Sequence, residues 1–164
     1  LMAELGLLKE AAEKLIKTYN QKAPFVRMLS DAVSRRADDS GKIRTIGGRL
    51  CHFDLWEPHG FGIKKPLPHA EALREHGPGI KRAFTYKALN KLIQGSAADM
   101  TKMSMLALYR EGIVPHIQIH DELDISVESM EQAEQIIDIM EDAVTLEVPN
   151  KVDYEEGSCW GDIH

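Results

Sequence analysis

The stretch that decides the fold is residues 117–127, IQIHDELDISV. Apolar and polar residues alternate on both sides of a short acidic corner, as they do in strands, where side chains point to opposite faces in turn. The pattern predicts two strands joined by a tight turn at His120, Asp121 and Glu122. Such a turn holds a carboxylate at the edge of a sheet, within reach of a metal ion or a substrate. A solvated turn without chemistry is the alternative that this tripeptide alone leaves open.

Composition is that of a globular domain. The 164 residues are 43% hydrophobic and 28% charged, enough for a sizeable core. No apolar run approaches the roughly 20 residues of a membrane span, and no signal-peptide pattern opens the chain. Cys51 and Cys159 lie far apart without metal-type spacing, so we expect reduced thiols in a cytoplasmic protein.

The net charge of −6 is unevenly distributed along the chain. Residues 27–110 contain 15 Lys and Arg and 8 Asp and Glu, a net charge of +7. Residues 111–164 contain one Lys and 15 Asp and Glu, a net charge of −14. A basic middle joined to an acidic end suits a polyanion track beside a carboxylate-rich metal site. A solvated acidic helix with scattered surface lysines fits the same distribution.

Helical periodicity predicts four helices. The first covers residues 2–20, and the second begins at Pro24, ends near Arg36 and is followed by a turn at residues 38–41. The longest covers residues 81–111. The last follows Ser129, with Gln132 in the capping-box position.

Strand patterns are shorter. Residues 42–53 predict two strands around a glycine corner, and residues 152–155 predict a last strand. Residues 54–80 hold four of the seven prolines and predict a long irregular loop with one helical turn at residues 70–74. Together these elements predict an α+β domain in which antiparallel hairpin strands pack against several helices.

Two polar pairs follow one face of the longest predicted helix. Asn90 and Gln94 lie four residues apart, as do Lys87 and Lys91, so each pair shares a face. The small residues 95–98 follow, and they would let a polymer backbone approach while the amides contact minor-groove edges. Helix packing on small residues, with exposed amides, is the alternative.

Two further groups suggest anion and metal chemistry. Arg44, Thr45 and Arg49, beside glycine N–H groups, suit phosphate, although a basic hairpin turn fits equally. The adjacent carboxylates of the acidic corner suit Mg²⁺, which prefers oxygen ligands. His116 and His120 cannot chelate one zinc ion, because residues four apart on a strand are about 13 Å apart.

Taken together, the motifs resemble one family. Residues 87–99, KALNKLIQGSAAD, and residues 118–123, QIHDEL, closely resemble the end of the family A DNA polymerases, which include bacterial DNA polymerase I and many phage replicases. The first resembles the long palm helix with its N-x-x-x-Q-G-[ST]-A-A-D pattern, and the second resembles the third catalytic motif. Residues 45–49, TIGGR, resemble the T-x-x-G-R segment, and residues 156–164 resemble the family's C-terminus. The sequence of the first segment resembles phage members of the family more than bacterial ones.

The resemblance implies a right-hand polymerase fold with a palm-type sheet. It also implies DNA-directed DNA polymerase activity in DNA replication, in which two Mg²⁺ ions assist nucleotidyl transfer from a dNTP to a primer 3′-OH. Asp121 would ligate the metal ions, His120 would lie near the primer terminus, and Glu122 would be a secondary carboxylate.

The same resemblance implies a set of DNA contacts. Asn90 and Gln94 would touch the minor groove of the primer–template, and Thr45 and Arg49 would contact the DNA backbone. Lys87 would compensate for Tyr86, which stands where bacterial members have arginine.

The resemblance also implies a division of the chain. Residues 1–41 would be a helical segment following the fingers, residues 42–80 short strands and a long irregular loop, and residues 81–164 the palm. The loop is longer than in the bacterial enzymes, and Leu50 stands where a second arginine is frequent.

Parts of the family pattern are missing from these residues. The first catalytic motif, with the other metal-binding aspartate, and the fingers helix that binds the triphosphate would both lie before Leu1. We therefore expect a segment of a longer polymerase or one piece of a split polymerase, inactive alone, in a host-cell cytoplasm if phage-encoded. An unpaired palm strand edge predicts homo-oligomers.

Two other functions stay open. One is a non-catalytic DNA-binding module derived from a polymerase palm. The other is a metal-dependent hydrolase built on the acidic corner, which would need a second carboxylate cluster such as Asp153, Glu155 and Glu156.

Overall fold

The structure, a computed structural model, describes residue 6, residues 8–60 and residues 65–162. The chain forms two compact units. The first is built from the chain up to Arg44 and from Leu50–Leu92, and the second from Thr45–Arg49 and from Ile93 onward. None of the helices in the described ranges is long and apolar enough to cross a membrane.

The first unit begins with two helices. Helix α1 covers Lys9–Lys22 and confirms most of the first predicted helix, whose residues 2–5 and 7 lie outside the described part. Helix α2 covers Pro24–Ser40, with the proline at its first turn. The predicted end near Arg36 is wrong, because the helix stops only where Gly41 adopts a left-handed conformation (φ 70°) and donates its N–H to the Ala37 carbonyl.

A short hairpin follows, as predicted. Strand β1 (Lys42–Arg44) pairs antiparallel with strand β2 (Leu50–His52), and Ile43 lies opposite Cys51. Ile43 belongs to the core of the first unit, which Cys51 and Leu92 flank. The buried residues of this core are Val33, Ala37, Ile43, Phe53 and Ala88.

The segment predicted as a long irregular loop is instead a small sheet with a helix. Strand β3 (Leu55–Pro58) lies between β4 (Leu67–Pro68) and β5 (Ile80–Arg82), and helix α3 covers His69–His76. Trp56 stabilises this arrangement, since the Arg82 guanidinium lies 4.6 Å from its ring centroid and the His69 ring lies at the same distance. The loop prediction is wrong because these strands are too short to show alternation.

Helix α4 covers Ala88–Arg110, so the predicted start at residue 81 is wrong. Phe84 has a φ of 63°, which no helix interior accepts, and a 3₁₀ turn at Thr85–Lys87 leads into the helix. Residues 80–82 are taken by strand β5.

The second unit contains the hairpin that residues 117–127 predict. Strands β6 (Ile117–Ile119) and β7 (Glu122–Asp124) pair antiparallel, with Ile119 opposite Glu122. Helix α5 covers Met130–Asp142, and the Ser129 hydroxyl accepts the Gln132 N–H at 3.2 Å, as the capping prediction requires. The hairpin and the capped helix are both confirmed.

The last predicted strand is wrong. Residues 152–155 pair with no strand of the described chain. The Val152 N–H instead donates to a Glu141 carboxylate oxygen at 3.0 Å, and Lys151 pairs with the same carboxylate at 2.6 Å. A 3₁₀ turn at Trp160–Asp162 ends the described chain, and the closing residue of the tail motif, His164, lies outside it.

The mixture of helices and small antiparallel sheets confirms the predicted α+β class. The division into residues 1–41, 42–80 and 81–164 stays a prediction.

Candidate functional site

The acidic corner is a two-residue turn. His120 and Asp121 join β6 to β7, and Glu122 is the first residue of β7. His120 has a φ of 54°, a left-handed conformation that non-glycine residues seldom adopt and that is frequent at functional sites. The Gln118 side-chain amide donates to the His120 carbonyl at 2.7 Å, which fixes the turn from one side. The fold therefore presents these side chains at the tip of a braced hairpin.

All three side chains of the corner, His120, Asp121 and Glu122, are exposed. Within the described ranges, no three His, Cys, Asp or Glu side chains come together so as to hold a metal ion. The carboxylates of Asp121 and Glu122 are the oxygen ligands that lie at the tip of this hairpin. The hydrolase alternative requires a second cluster of carboxylates that includes Asp153. The described residues form no such cluster.

The residues that resemble the T-x-x-G-R segment form a compact turn with Thr45 buried at its base. The Thr45 N–H donates to the Arg49 carbonyl at 2.9 Å, and the Arg49 N–H donates to the Thr45 hydroxyl at 3.1 Å. The Gly48 N–H donates to the Thr45 carbonyl at 3.0 Å, and Gly48 has a φ of 84°. The two residues predicted to contact DNA, Thr45 and Arg49, are therefore brought together.

This 45–49 turn is fastened to α4. The Gly47 N–H donates to Asp99 Oδ2 at 3.1 Å, and Arg49 Nε pairs with Asp99 Oδ1. Arg49 Nη2 donates to the Gly95 carbonyl at 2.8 Å, and the Ile46 N–H donates to the Ser96 hydroxyl at 3.1 Å. The small residues after Gln94 thus receive the backbone of this turn.

Asp99 is the acceptor at the centre of these contacts. Asp99 is only 4% exposed, whereas the Arg49 side chain is 48% exposed. A hydrogen bond from Thr45, the Arg49 guanidinium and the Gly47 N–H hold the pKa of Asp99 below its ordinary value of 3.8, against the opposing effect of burial. The carboxylate is therefore charged at neutral pH.

Gly47 is required by the close approach of the turn to Asp99. A Cβ at position 47 would lie 2.7 Å from Asp99 Cγ and 2.8 Å from Oδ2. No real Cβ makes such contacts, so any side chain here would separate the turn from its acceptor.

The other predicted DNA contacts lie at the start of α4. Asn90 and Gln94 are exposed and, four residues apart on one helix, share a face. Lys87 is exposed, and its ammonium lies 4.9 Å from the Phe84 ring centroid and 5.7 Å from that of Tyr86. Tyr86, which replaces the bacterial arginine, is 72% exposed.

One residue of this site, Asp99, belongs to a family motif but has no role predicted from the sequence. Asp99 closes the N-x-x-x-Q-G-[ST]-A-A-D pattern, and a charged residue on the buried side of a helix implies a charged partner. That signal predicts a partner for Asp99, but only the structure identifies it as Arg49.

Comparison with known proteins gives consistent results. A family model described as DNA polymerase family A matches residues 1–162. A DNA-directed DNA polymerase of Pseudomonas phage M6 is 36% identical over 98% of this chain and 22% of that protein. DNA polymerase I of Lactococcus lactis subsp. lactis is 28% identical over 98% of this chain and 17% of that protein.

Among solved structures, the chain is similar to one described as the POL domain of Pol1 from M. smegmatis in complex with DNA primer-template and dNTP. The TM-score is 0.63 at 26% sequence identity, and the match covers 91% of this chain and 25% of that one. The chain spans about a fifth of the length of the curated relatives named above. The recognition made from the motifs is thereby confirmed: the chain belongs to DNA polymerase family A.

Proposed function

We propose that the chain is the palm-bearing part of a DNA-directed DNA polymerase, which transfers nucleotides from dNTPs to a primer 3′-OH under the direction of a template. The observation that carries the proposal is the family match over residues 1–162, which includes both long motifs. The relative from Pseudomonas phage M6, itself named a DNA-directed DNA polymerase, supports the same activity.

We assign the chemistry to the acidic corner. Asp121 ligates metal, Glu122 is a secondary carboxylate, and His120 lies near the primer terminus. The exposed, braced tip of the hairpin supports this assignment, and adjacent carboxylates suit Mg²⁺. Mg²⁺, when bound, stabilises charge on the attacking and leaving oxygens of a phosphoryl transfer. The donor set of the described chain fits part of such a site, and a second aspartate would come from outside these 164 residues.

The DNA contacts extend over α4 and the 45–49 turn. Asn90 and Gln94 contact the minor groove, and Arg49 and Lys87 contact the backbone. Thr45 is buried, so it contributes through the turn that carries Arg49 and not by a contact of its own. The exposure of Asn90, Gln94, Lys87 and Arg49 supports these roles. Residues 76–98 also support them, since they contain four Lys and Arg and no Asp or Glu.

A primer-extension assay tests the proposal in two parts. The purified 164-residue chain, given a primed template, dNTPs and Mg²⁺, binds the primed template but does not extend the primer, because it lacks the second aspartate and the triphosphate site. Robust extension would contradict the claim that this chain alone is inactive. Failure to bind the primed template would contradict the DNA contacts.

A second candidate function is a non-catalytic DNA-binding module. The observation in its favour is that residues 76–98 contain four Lys and Arg and no Asp or Glu, a distribution that suits DNA binding whether or not a metal ion is bound. The two candidates differ in how DNA binding responds to Mg²⁺ and to Asp121. If Asp121 ligates metal, Mg²⁺ strengthens binding of the primed template, and Asp121→Asn removes that response.

The matched control for this test is Asp124→Asn, which removes the same charge from the same hairpin two pairs from the turn. It is expected to keep the Mg²⁺ response. Equal responses in wild type and Asp121→Asn would favour the DNA-binding module.

The remaining assignments follow from the family. In the intact polymerase the partners are primer–template DNA, dNTP and the polymerase segment that carries the fingers. We also propose that copies of this chain associate through the edges of the β6–β7 hairpin, and that the protein acts in the cytoplasm, which is that of the host cell if the protein is phage-encoded.

A further inference from the structure

Asp99 is a buried carboxylate to which the proposed chemistry assigns no role. Burial of a carboxylate is costly unless donors surround it. Its donors in the part of the chain that the structure describes belong to the 45–49 turn: the Gly47 N–H at 3.1 Å, Arg49 Nε, and Thr45. The environment of this charge is therefore built by the turn that carries Arg49, the residue to which we assign a contact with the DNA backbone.

The contacts of Arg49 determine which edge of its guanidinium is held. Nε pairs with Asp99 and Nη2 donates to the Gly95 carbonyl, so both contacts lie on the side edge of the planar group. The end edge, formed by Nη1 and the second Nη2 hydrogen, is the one that matches two phosphate oxygens. The Arg49 side chain is 48% exposed, which is sufficient for an approaching strand to meet it.

We infer that Asp99 is a positioning residue for DNA binding, which holds Arg49 and the 45–49 turn so that the end edge of the guanidinium meets a DNA phosphate. The inference rests on the proposed contact between Arg49 and the DNA backbone. An arginine that is already held loses less side-chain freedom when it binds, and this favours affinity.

Simple electrostatics predicts the opposite effect of Asp99. A negative charge beside a phosphate site weakens binding, so its neutralisation would strengthen binding if charge alone mattered. The Asp99→Asn variant keeps the shape and removes the charge. Its effect on DNA affinity therefore has opposite signs under the two explanations.

The experiment measures Kd of the 164-residue chain for a primed template by fluorescence anisotropy over a series of KCl concentrations. The variants are Arg49→Ala, Asp99→Asn and the double variant. In Asp99→Asn the unheld Arg49 side chain would have to be immobilised on binding, and this cost exceeds what an exposed phosphate contact contributes, so the contact is lost and Kd rises roughly 2- to 12-fold. Because one phosphate is no longer neutralised, the slope of log affinity against log salt falls by about 0.9, as it does in Arg49→Ala. In the Arg49→Ala background, Asp99→Asn has no further effect on Kd.

Two further variants make the test specific. Asp138→Asn removes the same charge from an exposed position on α5 and leaves the salt slope unchanged. Gly47→Ala keeps every side chain of the turn but places a Cβ 2.7 Å from Asp99 Cγ, so it reproduces the loss of slope even if Asp99→Asn does not fold. Circular dichroism of each variant confirms that it is folded.

The outcomes separate this inference from the proposed function. Equal or tighter binding by Asp99→Asn with a wild-type slope, or a loss that adds to that of Arg49→Ala, overturns the inference and leaves the proposed function intact. A merely structural role lowers thermal stability in both backgrounds without changing the slope, and it also overturns the inference. Wild-type binding by Arg49→Ala, or no binding by the wild-type chain, overturns the proposed DNA contact and the role of Asp99 with it.

Discussion

Replacement of Asp99 by alanine tests the contacts between the 45–49 turn and α4 through stability alone. A hydrogen bond to a charged group contributes about 1.5–3 kcal/mol. Asp99 itself is only 4% exposed, whereas water replaces part of its contact with Arg49, which is 48% exposed, and with Gly47, which is also exposed. We therefore expect Asp99→Ala to lower the free energy of unfolding by roughly 2–4 kcal/mol at pH 7.

The assay is urea unfolding followed by circular dichroism, with Asp138→Ala as the control. Asp138 is exposed, so its replacement is expected to change the free energy of unfolding by no more than about 0.5 kcal/mol. Because the same residue type is removed in both variants, their difference reports the environment of Asp99.

The same prediction has a pH dependence with a definite sign. The pKa of Asp99 is lowered in the folded chain, so its stabilising contribution is fully present above the ordinary value of 3.8. That contribution is lost as the pH falls through the lower, folded-state pKa. The difference between wild type and Asp99→Ala should therefore be largest near neutral pH and shrink below pH 3.8. A loss under about 1 kcal/mol at pH 7, or a difference that does not change on acidification, would refute the reasoning.

Three other predictions concern the elements that carry the site. Gly41→Ala lowers the free energy of unfolding by roughly 2–4 kcal/mol, because a Cβ at φ +70° would also displace the Arg82 guanidinium, 2.6 Å away, from the Asp38 and Phe53 carbonyls to which it donates. Gly112→Ala, at φ +79° with nothing within 4 Å, costs only about 1–2 kcal/mol in the same urea titration, and equal costs would contradict the clash. Ser129→Ala removes the cap of α5 and lowers the free energy of unfolding by about 1 kcal/mol in thermal melts. The control Thr145→Ala changes an exposed residue and costs less than about 0.5 kcal/mol, and similar values for the two variants would argue against the cap. Light scattering over a concentration series should detect dimers formed through the β6–β7 hairpin, and a monomer at every concentration would count against them.

Elements whose partners lie nearby in the chain were predicted correctly. The β6–β7 hairpin pairs residues no more than seven apart, and alternation around a two-residue turn is sufficient to identify it. The start of α5 depends on one hydrogen bond between Ser129 and Gln132. In both cases the residues that make the stabilising contacts are close together in the sequence.

Elements that depend on distant partners were predicted poorly. Strands β3, β4 and β5 have four, two and three residues, and Trp56 pairs with Arg82 across a long connection. Conversely, residues 152–155 have a strand-like pattern, but the Val152 N–H donates to the Glu141 carboxylate and not to a neighbouring strand. Strand pairing is a property of two segments, and neither segment encodes the choice of partner by itself.

Local sequence motifs are sufficient to identify the family, the hairpin with its acidic tip at His120, Asp121 and Glu122, and the motif residues that we assign to DNA. Folding is needed to show that the 45–49 turn closes on Asp99, which lies 50 and 52 residues away from its donors Arg49 and Gly47. Motifs are local because chemistry needs particular side chains at fixed spacing. The cost of burying a charge is met by whichever donors the fold brings near, and that choice is made by packing.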